Sequence, residues 1–404
     1  MPGRSLRIAV VAACPFPIGR GTPVRILRLT EALAARGHQI EVFTYHLGEA
    51  LTDPPFKVHR IAPWRAYAYT GPGPTLGKIF GLDPRLARKL ARSLTGARFD
   101  LVYAHHYEAL LIALAVRPRG LPVVYDAHTL LRSELPLYKL GLPPALMGAI
   151  GGMLDRFLPR QADHVVSVSQ EIVRLLGSDA GIPAERLTLA PNGLEPELFE
   201  VARSMSTEAD GERVVFAGNL ASYQGIDDLL LAVSLAARRR PRLRLQILSE
   251  DDFAPYQARA AAFGIADRLD VVRTRFAELP AQLARAGVAV NPRSVADGVP
   301  QKLLNYMAAG LPIVSFDGAA VDLRNEETGI VVPSGDVAAM ADALCRCLSD
   351  PDYATRLGAE ARRVARLRYS WPASARRVEE ACLAVVARCA TASARPRELP
   401  ACPP

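Results

Sequence analysis

The stretch Val288–Phe316, VAVNPRSVADGVPQKLLNYMAAGLPIVSF, constrains the fold more than any other part of the chain. Its ends, Val288–Asn291 and Ile313–Phe316, are short apolar runs that read as strands buried on both faces. Between them lie a loop rich in Gly, Pro and Asp and a run, Gln301–Ala309, that reads as a helix. Leu303, Leu304, Met307 and Ala308 share one helical stripe, and Gly310 followed by Pro312 stops the helix. A loop at the carboxyl end of a strand, feeding a helix N-terminus, leaves backbone N–H groups free for an anion. Asp297 and, eight residues on, Asn305 are placed to hydrogen-bond hydroxyls of whatever carries that anion. The plainer alternative is an ordinary strand–helix–strand packing unit.

The same arrangement recurs in both halves of the chain. Leu6–Ala12 is an apolar strand followed by Cys14-Pro-Phe-Pro-Ile-Gly-Arg-Gly-Thr-Pro, with Thr22 expected as N-cap and Pro23 at the first helical position. Ile26, Leu29 and Leu33 supply the buried stripe of a helix running to Gly37, and Gly19 and Gly21 either let a ligand approach the backbone or simply make a tight connection. Val214–Ala217 is a second such strand, followed by Gly218–Gly225 and a helix from Ile226. Alternating strands and helices of this kind make an α/β protein of two doubly wound, Rossmann-like domains facing a cleft.

Composition removes several classes. With 404 residues the chain buries two cores of ordinary size. Half the residues are hydrophobic and 22% are charged, as in a globular rather than a disordered protein. No apolar run is long enough to span a bilayer, and the short apolar N-terminal run reads as a first strand rather than a signal peptide. The cysteines form no CxxC pair, which argues against zinc and a disulfide framework and fits a reducing cytoplasm. A formal net charge of +8 favours anionic partners without choosing among them.

Other segments carry local chemistry. Asp100–His106 is expected as a strand ending in two histidines, and Pro122–Tyr125 as another, leading into Asp126-Ala127-His128. His105, His106 and His128 suggest metal ligation, yet Asp126 and His128 lie at a strand end without a clear third ligand, so no metal is expected. Trp64, Tyr67, Tyr69, Arg65 and Lys78 precede an amphipathic helix, Pro84–Leu94, with Arg85, Arg88, Lys89 and Arg92 on its polar side. Aromatics interleaved with cations suit an acceptor sugar or an anionic membrane surface, and the alternative is a solvated helix face. No nucleic-acid module is visible.

The ordered motifs resemble the GT-B glycosyltransferases of family four. In that family the central motif is an acidic residue, seven residues, Glu, then a helix ending Met-Ala-Ala-Gly-x-Pro. Asp297 stands at the first position and Asn305 at the second. EALAARGHQIEVFTYH is similar to the family's opening, and VVYDAHT to the segment whose histidine touches the donor sugar, which falls on His128. Pro191-Asn192-Gly193 matches the crossing into the second domain. Gly218–Gly225 matches the Gly-Arg-Leu…Lys-Gly segment whose two cations grip a diphosphate, but Asn219 stands at the Arg position and Gln224 at the Lys position.

The resemblance implies a metal-independent, retaining transferase that moves a sugar from a nucleotide diphosphate sugar to a hydroxyl acceptor, glycan or lipid-linked, with no cofactor. It implies catalytic roles for His128 and Asp297, and Lys302, which begins the central helix and can reach the mouth of the same crevice, is assigned with them by position. Gly19, Gly21, Gly218, Asn219, Gln224, Arg293, Gln301 and Asn305 would bind the donor. The expected domains are residues 1–195 on the acceptor side and 196–370 on the donor side, with a terminal helix over 371–390 crossing back and a frayed tail over 391–404. The expected location is the cytoplasm, peripheral to the inner face of the membrane. A non-catalytic nucleotide-sugar-binding subunit and a GT-B nucleotide-sugar epimerase are the alternatives.

Overall fold

The computed structural model describes residues 4–18, 21–65, 67–70, 73–138, 143–200, 212–275, 278–295 and 300–394. The chain divides into two compact units, residues 1–193 with 371–404, and residues 194–370. Gly19, Asp297 and the polar stretch 201–211 lie outside the described residues.

The first unit is a seven-stranded sheet. Its strands are β1 (Arg7–Ala12), β2 (Gln39–Thr44), β3 (Lys57–Arg60), β4 (Leu101–His105), β5 (Val123–Ala127), β6 (His164–Ser167) and β7 (Leu187–Leu189). They run in the order β3-β2-β1-β4-β5-β6-β7, and every pairing is parallel. Helices cover both faces, so Ile8–Ala12 and Leu101–Ala104 are wholly buried and apolar rather than alternating. The chain order reverses between β1 and β4, and ligands of doubly wound sheets sit at the carboxyl ends of such a pair.

The terminal helix, Trp371–Ala394, belongs to this unit. Trp371, Ala375, Val378, Cys382 and Val385 join the core beside Ile26, Leu29 and Leu33 of helix Gly21–Ala35. Glu379 pairs with both Arg36 and His38, and Ser374 Oγ donates to the Pro191 carbonyl at 2.5 Å. The helix outlasts the expected end near Cys389, and in its last turns Thr391 Oγ1 donates to the Ala387 and Arg388 carbonyls at 3.3 and 2.8 Å. Residues 391–394, expected as tail, are therefore helical, and 395–404 lie outside the described residues.

The second unit is a six-stranded parallel sheet in the order β10-β9-β8-β11-β12-β13. These strands are β8 (Arg213–Ala217), β9 (Arg244–Ser249), β10 (Leu269–Arg273), β11 (Val288–Asn291), β12 (Ile313–Phe316) and β13 (Ile330–Val332). Here the order reverses between β8 and β11. Helix Gln301–Ala309 follows β11 and is capped by Gly310 in the left-handed region at φ 70°. The expected single stripe understates its burial, since every residue from Lys302 to Ala309 is buried. Leu303→Ala in such a helix costs about 2–5 kcal/mol of stability.

Two expected boundaries shift. Helix Gly21–Ala35 starts before Thr22, so Thr22 lies in the first turn and is not the N-cap. His106 does not end β4 but opens helix His106–Val116, with φ at +72°.

Candidate active site

In the first unit the site grows from the carboxyl ends of β1, β4 and β5. Asp126, the penultimate residue of β5, is fully buried, and an ionised carboxylate there needs a partner. Arg25 supplies it from helix Gly21–Ala35. Its Nε lies 3.1 Å from Oδ2 and its Nη2 3.1 Å from Oδ1, with both side chains at most 1% exposed. Tyr103 of β4 donates to Oδ2 at 2.5 Å, and His105 Nδ1 stands 3.3 Å from the same oxygen. Burial alone would raise the Asp126 pKa; the Arg25 guanidinium is the chief group that pulls it down to about 2.

His128 sits just beyond β5. Its Nδ1 is 3.1 Å from Thr22 Oγ1, its Nε2 is 3.3 Å from His105 Nδ1, and Asp126 lies 3.8 Å away. The hydroxyl expected as a helix cap thus holds a catalytic candidate instead. Burial, against the pull of Asp126, keeps the His128 pKa well below the ordinary histidine range, and His105 is lowered by burial to about 4. Both imidazoles are neutral at physiological pH.

His105, Asp126 and His128 do bring three ligand atoms within 4.8 Å of one another, so the third ligand that the sequence seemed to lack is His105. The donor set is nevertheless committed, because both oxygens of Asp126 already accept from the Arg25 guanidinium. A cation added there would face a permanent positive charge.

Beside this group a cavity of about 280 Å³ opens, lined by residues such as Gly21, Thr22, Lys78, His106, Glu108 and Glu134. His106 bridges two carboxylates, Nδ1 to Glu108 at 2.6 Å and Nε2 to Glu134 at 3.1 Å. Burial opposes its charge, but Glu108 and then Glu134 raise its pKa to about 10, so it stands as an imidazolium. Glu134 also accepts from Thr129 and Tyr138.

In the second unit the site lies at the carboxyl ends of β8 and β11. Gly218 follows β8 at φ 147°, and a Cβ there would lie 3.5 Å from Lys302 Cε. Gly225, at φ 71°, admits no side chain at all, because a Cβ would lie 2.0 Å from the Pro292 carbonyl oxygen. That contact locks the loop after β8 against the loop after β11.

Lys302 rises into this corner from the first turn of helix Gln301–Ala309 and is only 8% exposed. Its Nζ donates to Gln224 Oε1 at 2.5 Å and sits 4.1 Å from the Phe216 ring centroid. Gln224 Nε2 donates to Asn219 Oδ1 at 2.9 Å, and Asn219 Nδ2 to the Tyr223 hydroxyl at 3.1 Å. No carboxylate pairs with Lys302 among the described residues, and burial, with Arg293 second, lowers its pKa to about 7. Arg293 lies 5.0 Å over the Tyr223 ring and donates to the Val295 carbonyl at 2.5 Å. Gln301 Nε2 donates to Asn305 Oδ1 at 3.2 Å, one turn along the helix.

The comparisons with known proteins agree with this geometry. Residues 19–198 match the family model described as Glycosyltransferase Family 4, and residues 211–350 the one described as Glycosyl transferases group 1. The chain belongs to glycosyltransferase family four, of the group 1 type. A D-inositol 3-phosphate glycosyltransferase of Nocardia farcinica is 27% identical over 391 residues, covering 89% of this chain and 85% of its own. A phosphatidyl-myo-inositol mannosyltransferase of Mycobacterium leprae is 27% identical, covering 91% and 93%. Among solved structures, sucrose-phosphate synthase from Thermosynechococcus elongatus shares the fold with a TM-score of 0.65 at 20% identity, over 95% of this chain and 100% of that one. The two doubly wound units are those of a GT-B glycosyltransferase.

Within this glycosyltransferase the donor-side candidates Gly218, Asn219, Gln224, Arg293 and Lys302 meet in one corner, and Gln301 and Asn305 share the helix that bears Lys302. Gly21 and His128 stand together in the first unit, joined through Thr22. Arg25, Tyr103, Glu108 and Glu134 were not anticipated. For Arg25 a signal existed: it lies four residues before Leu29 and eight before Leu33, on the apolar stripe, where an unpaired charge has no place.

Proposed function

We propose that this glycosyltransferase moves a sugar from a nucleotide diphosphate sugar to a hydroxyl of a glycan or lipid-linked acceptor, with retention at the anomeric carbon and without a metal. The observation that carries the reading is Lys302, a buried amine with no acidic partner among the described residues, at the reversal point of the second sheet. A buried cation without a carboxylate is costly and calls for an anion. The donor diphosphate supplies one.

Breaking the bond between the anomeric carbon and the phosphate oxygen builds positive charge on the sugar and negative charge on the leaving diphosphate. Lys302 and Arg293 stabilise that charge without reorganising. The acceptor oxygen bonds to the anomeric carbon on the face the diphosphate leaves, and its proton passes to the departing phosphate oxygen. Asp297 and Asn305 are assigned to hydroxyls of the donor and His128 to the transferred sugar. The metal-free reading is supported by the commitment of Asp126 to Arg25.

A lipid-linked acceptor fits a further surface of the first unit. Leu76 and Phe80 are 72% and 77% exposed immediately before helix Asp83–Gly96, which carries Arg85, Arg88, Lys89 and Arg92. Exposed apolar side chains beside a polybasic face suit the inner face of an anionic membrane. No helix among the described residues is long and apolar enough to cross one.

The test is a panel of nucleotide sugars with chelator present. Donor-dependent thermal stabilisation, followed by transfer to a sugar or lipid-linked acceptor with the donor's anomeric configuration, is the expected result. Isomerised donor without acceptor would favour the epimerase reading, and binding without turnover the non-catalytic one. Loss of binding on chelation, restored by a divalent ion, would end the metal-free reading.

A further inference from the structure

The cavity of the first unit is electrically balanced, and that balance selects its ligand. Four charged side chains line it: Lys78 and the His106 imidazolium on one side of the account, Glu108 and Glu134 on the other. His106 is spent between the two carboxylates, and Lys78, only 3% exposed, donates to the Gly73 carbonyl at 2.6 Å. The neighbouring Arg25 is likewise spent on Asp126. Among the described residues no surplus cation is left for an anionic group.

What the cavity does offer is hydrogen-bond capacity. His105 lines it, is 1% exposed, and leaves Nε2 buried without a partner. A buried ring nitrogen of this kind costs free energy until a ligand satisfies it. The carboxylates of Glu108 and Glu134 accept hydroxyl protons, and the Thr22 hydroxyl beside His128 adds a further polar group. His106, which holds both carboxylates, does so from a left-handed backbone conformation that a side-chain-bearing residue adopts only at a cost. Ala13, Cys14, Pro15, Ile18 and Pro23 supply an apolar wall. Acceptors for hydroxyl protons against an apolar wall are what a sugar or cyclitol ring requires.

We infer that this cavity binds the acceptor as an uncharged, hydroxyl-rich ring, that Glu108 and Glu134 recognise its hydroxyls, and that a phosphate ester at the same position is rejected. The inference rests on the glycosyl-transfer reading, and it narrows that reading to an acceptor whose reacting end is neutral.

The test is binding to the whole protein rather than turnover, so that it is separable from the transfer assay. Matched probes are titrated by calorimetry or ligand-detected NMR in the presence of a nucleoside diphosphate: myo-inositol against its 1-phosphate, and methyl α-mannoside against mannose 6-phosphate. The neutral member of at least one pair is expected to bind at least about tenfold tighter than its phosphate. Glu134→Gln and Glu108→Gln each leave a positive charge unbalanced, so each should cut that preference at least about tenfold. The preference is a ratio within one protein, so partial misfolding, which lowers both affinities alike, leaves it unchanged. Equal or tighter binding of the phosphates by the parent, an unchanged preference in both variants, or no binding of any neutral probe would overturn the inference. If transfer then proceeds all the same, only the acceptor class is wrong; if neutral probes bind but no donor is ever turned over, the transfer reading is what fails.

Discussion

Lys302 donates to Gln224 across 2.5 Å, from the first turn of one helix to the end of the loop that precedes another, 78 residues away in the chain. The family motif that Gly218–Gly225 resembles has a lysine where Gln224 stands. Here the cation arrives from the neighbouring element, and the residue at the old position has become its hydrogen-bond acceptor.

The pH dependence of donor binding follows from this pair. Lys302 is lowered to about 7 by burial and by Arg293, and a bound diphosphate raises it again. The protonated form is the one that binds. Affinity for a nucleoside diphosphate should be greatest below about pH 7 and fall as pH rises through it, with proton uptake on binding above that point. Titration in two buffers of different ionisation enthalpy measures the uptake, and Lys302→Met should abolish it.

The same residue sets a balance between stability and function. In the unliganded protein Lys302 loses its proton near pH 7, whereas an unfolded lysine keeps it to the ordinary lysine range. The unfolded state therefore binds more protons across that window, and stability rises with pH there. Lys302→Met removes the buried charge and should raise the melting temperature by about 2 °C or more at neutral pH while weakening donor binding. Differential scanning fluorimetry checks it; a lower melting temperature would count against an unpaired charge.

Arg25 and Asp126 behave oppositely, because each neutralises the other in the core. Arg25→Ala should cost about 3–5 kcal/mol of stability, most of it recovered by adding Asp126→Asn. Chemical denaturation decides, and a loss below about 1 kcal/mol for the single change would contradict the pairing.

Much of this fold was legible in the sequence and much of the site was not. Val288–Phe316 announced strand, loop, helix and strand because parallel strands buried on both faces leave apolar runs and Gly310 ends the helix. Arg25 with Asp126 and Lys302 with Gln224 were illegible as pairs, since their members lie 101 and 78 residues apart and meet only through the strand order. The burial of every residue from Lys302 to Ala309 was underread because Lys302 and Asn305 look solvent-facing. Their partners, Gln224 and Gln301, are what allow them inside. His106 read as the end of a strand because nothing local signals the turn into a helix that its two carboxylates accompany.

His128→Ala should lower turnover at least about tenfold and leave nucleoside diphosphate affinity within about threefold, since His128 is assigned to the transferred sugar. Steady-state kinetics beside calorimetry separate the two. Equal losses in both would move His128 out of that role.

For the membrane reading, replacing Arg85, Arg88, Lys89 and Arg92 with Glu should abolish sedimentation with acidic liposomes, each cation near such a surface contributing about 1 kcal/mol. Phe80→Ser should weaken it by a factor that salt changes little, because Phe80 is exposed and the substitution alters no charge. Unchanged sedimentation of the fourfold variant would remove the membrane.

The central claim is that Lys302 does for the donor diphosphate what the resembled motif assigns to a cation at position 224. The direct measurement is nucleoside diphosphate affinity, by calorimetry without metal, for the parent, Lys302→Ala, Gln224→Ala and the double variant Gln224→Lys with Lys302→Ala. A charge-assisted hydrogen bond is worth about 1.5–3 kcal/mol, so Lys302→Ala should lose at least about tenfold, Gln224→Ala clearly less, and the relocated lysine should recover most of the loss. If Lys302→Ala binds within about threefold of the parent, the diphosphate is held by other groups and the claim is wrong.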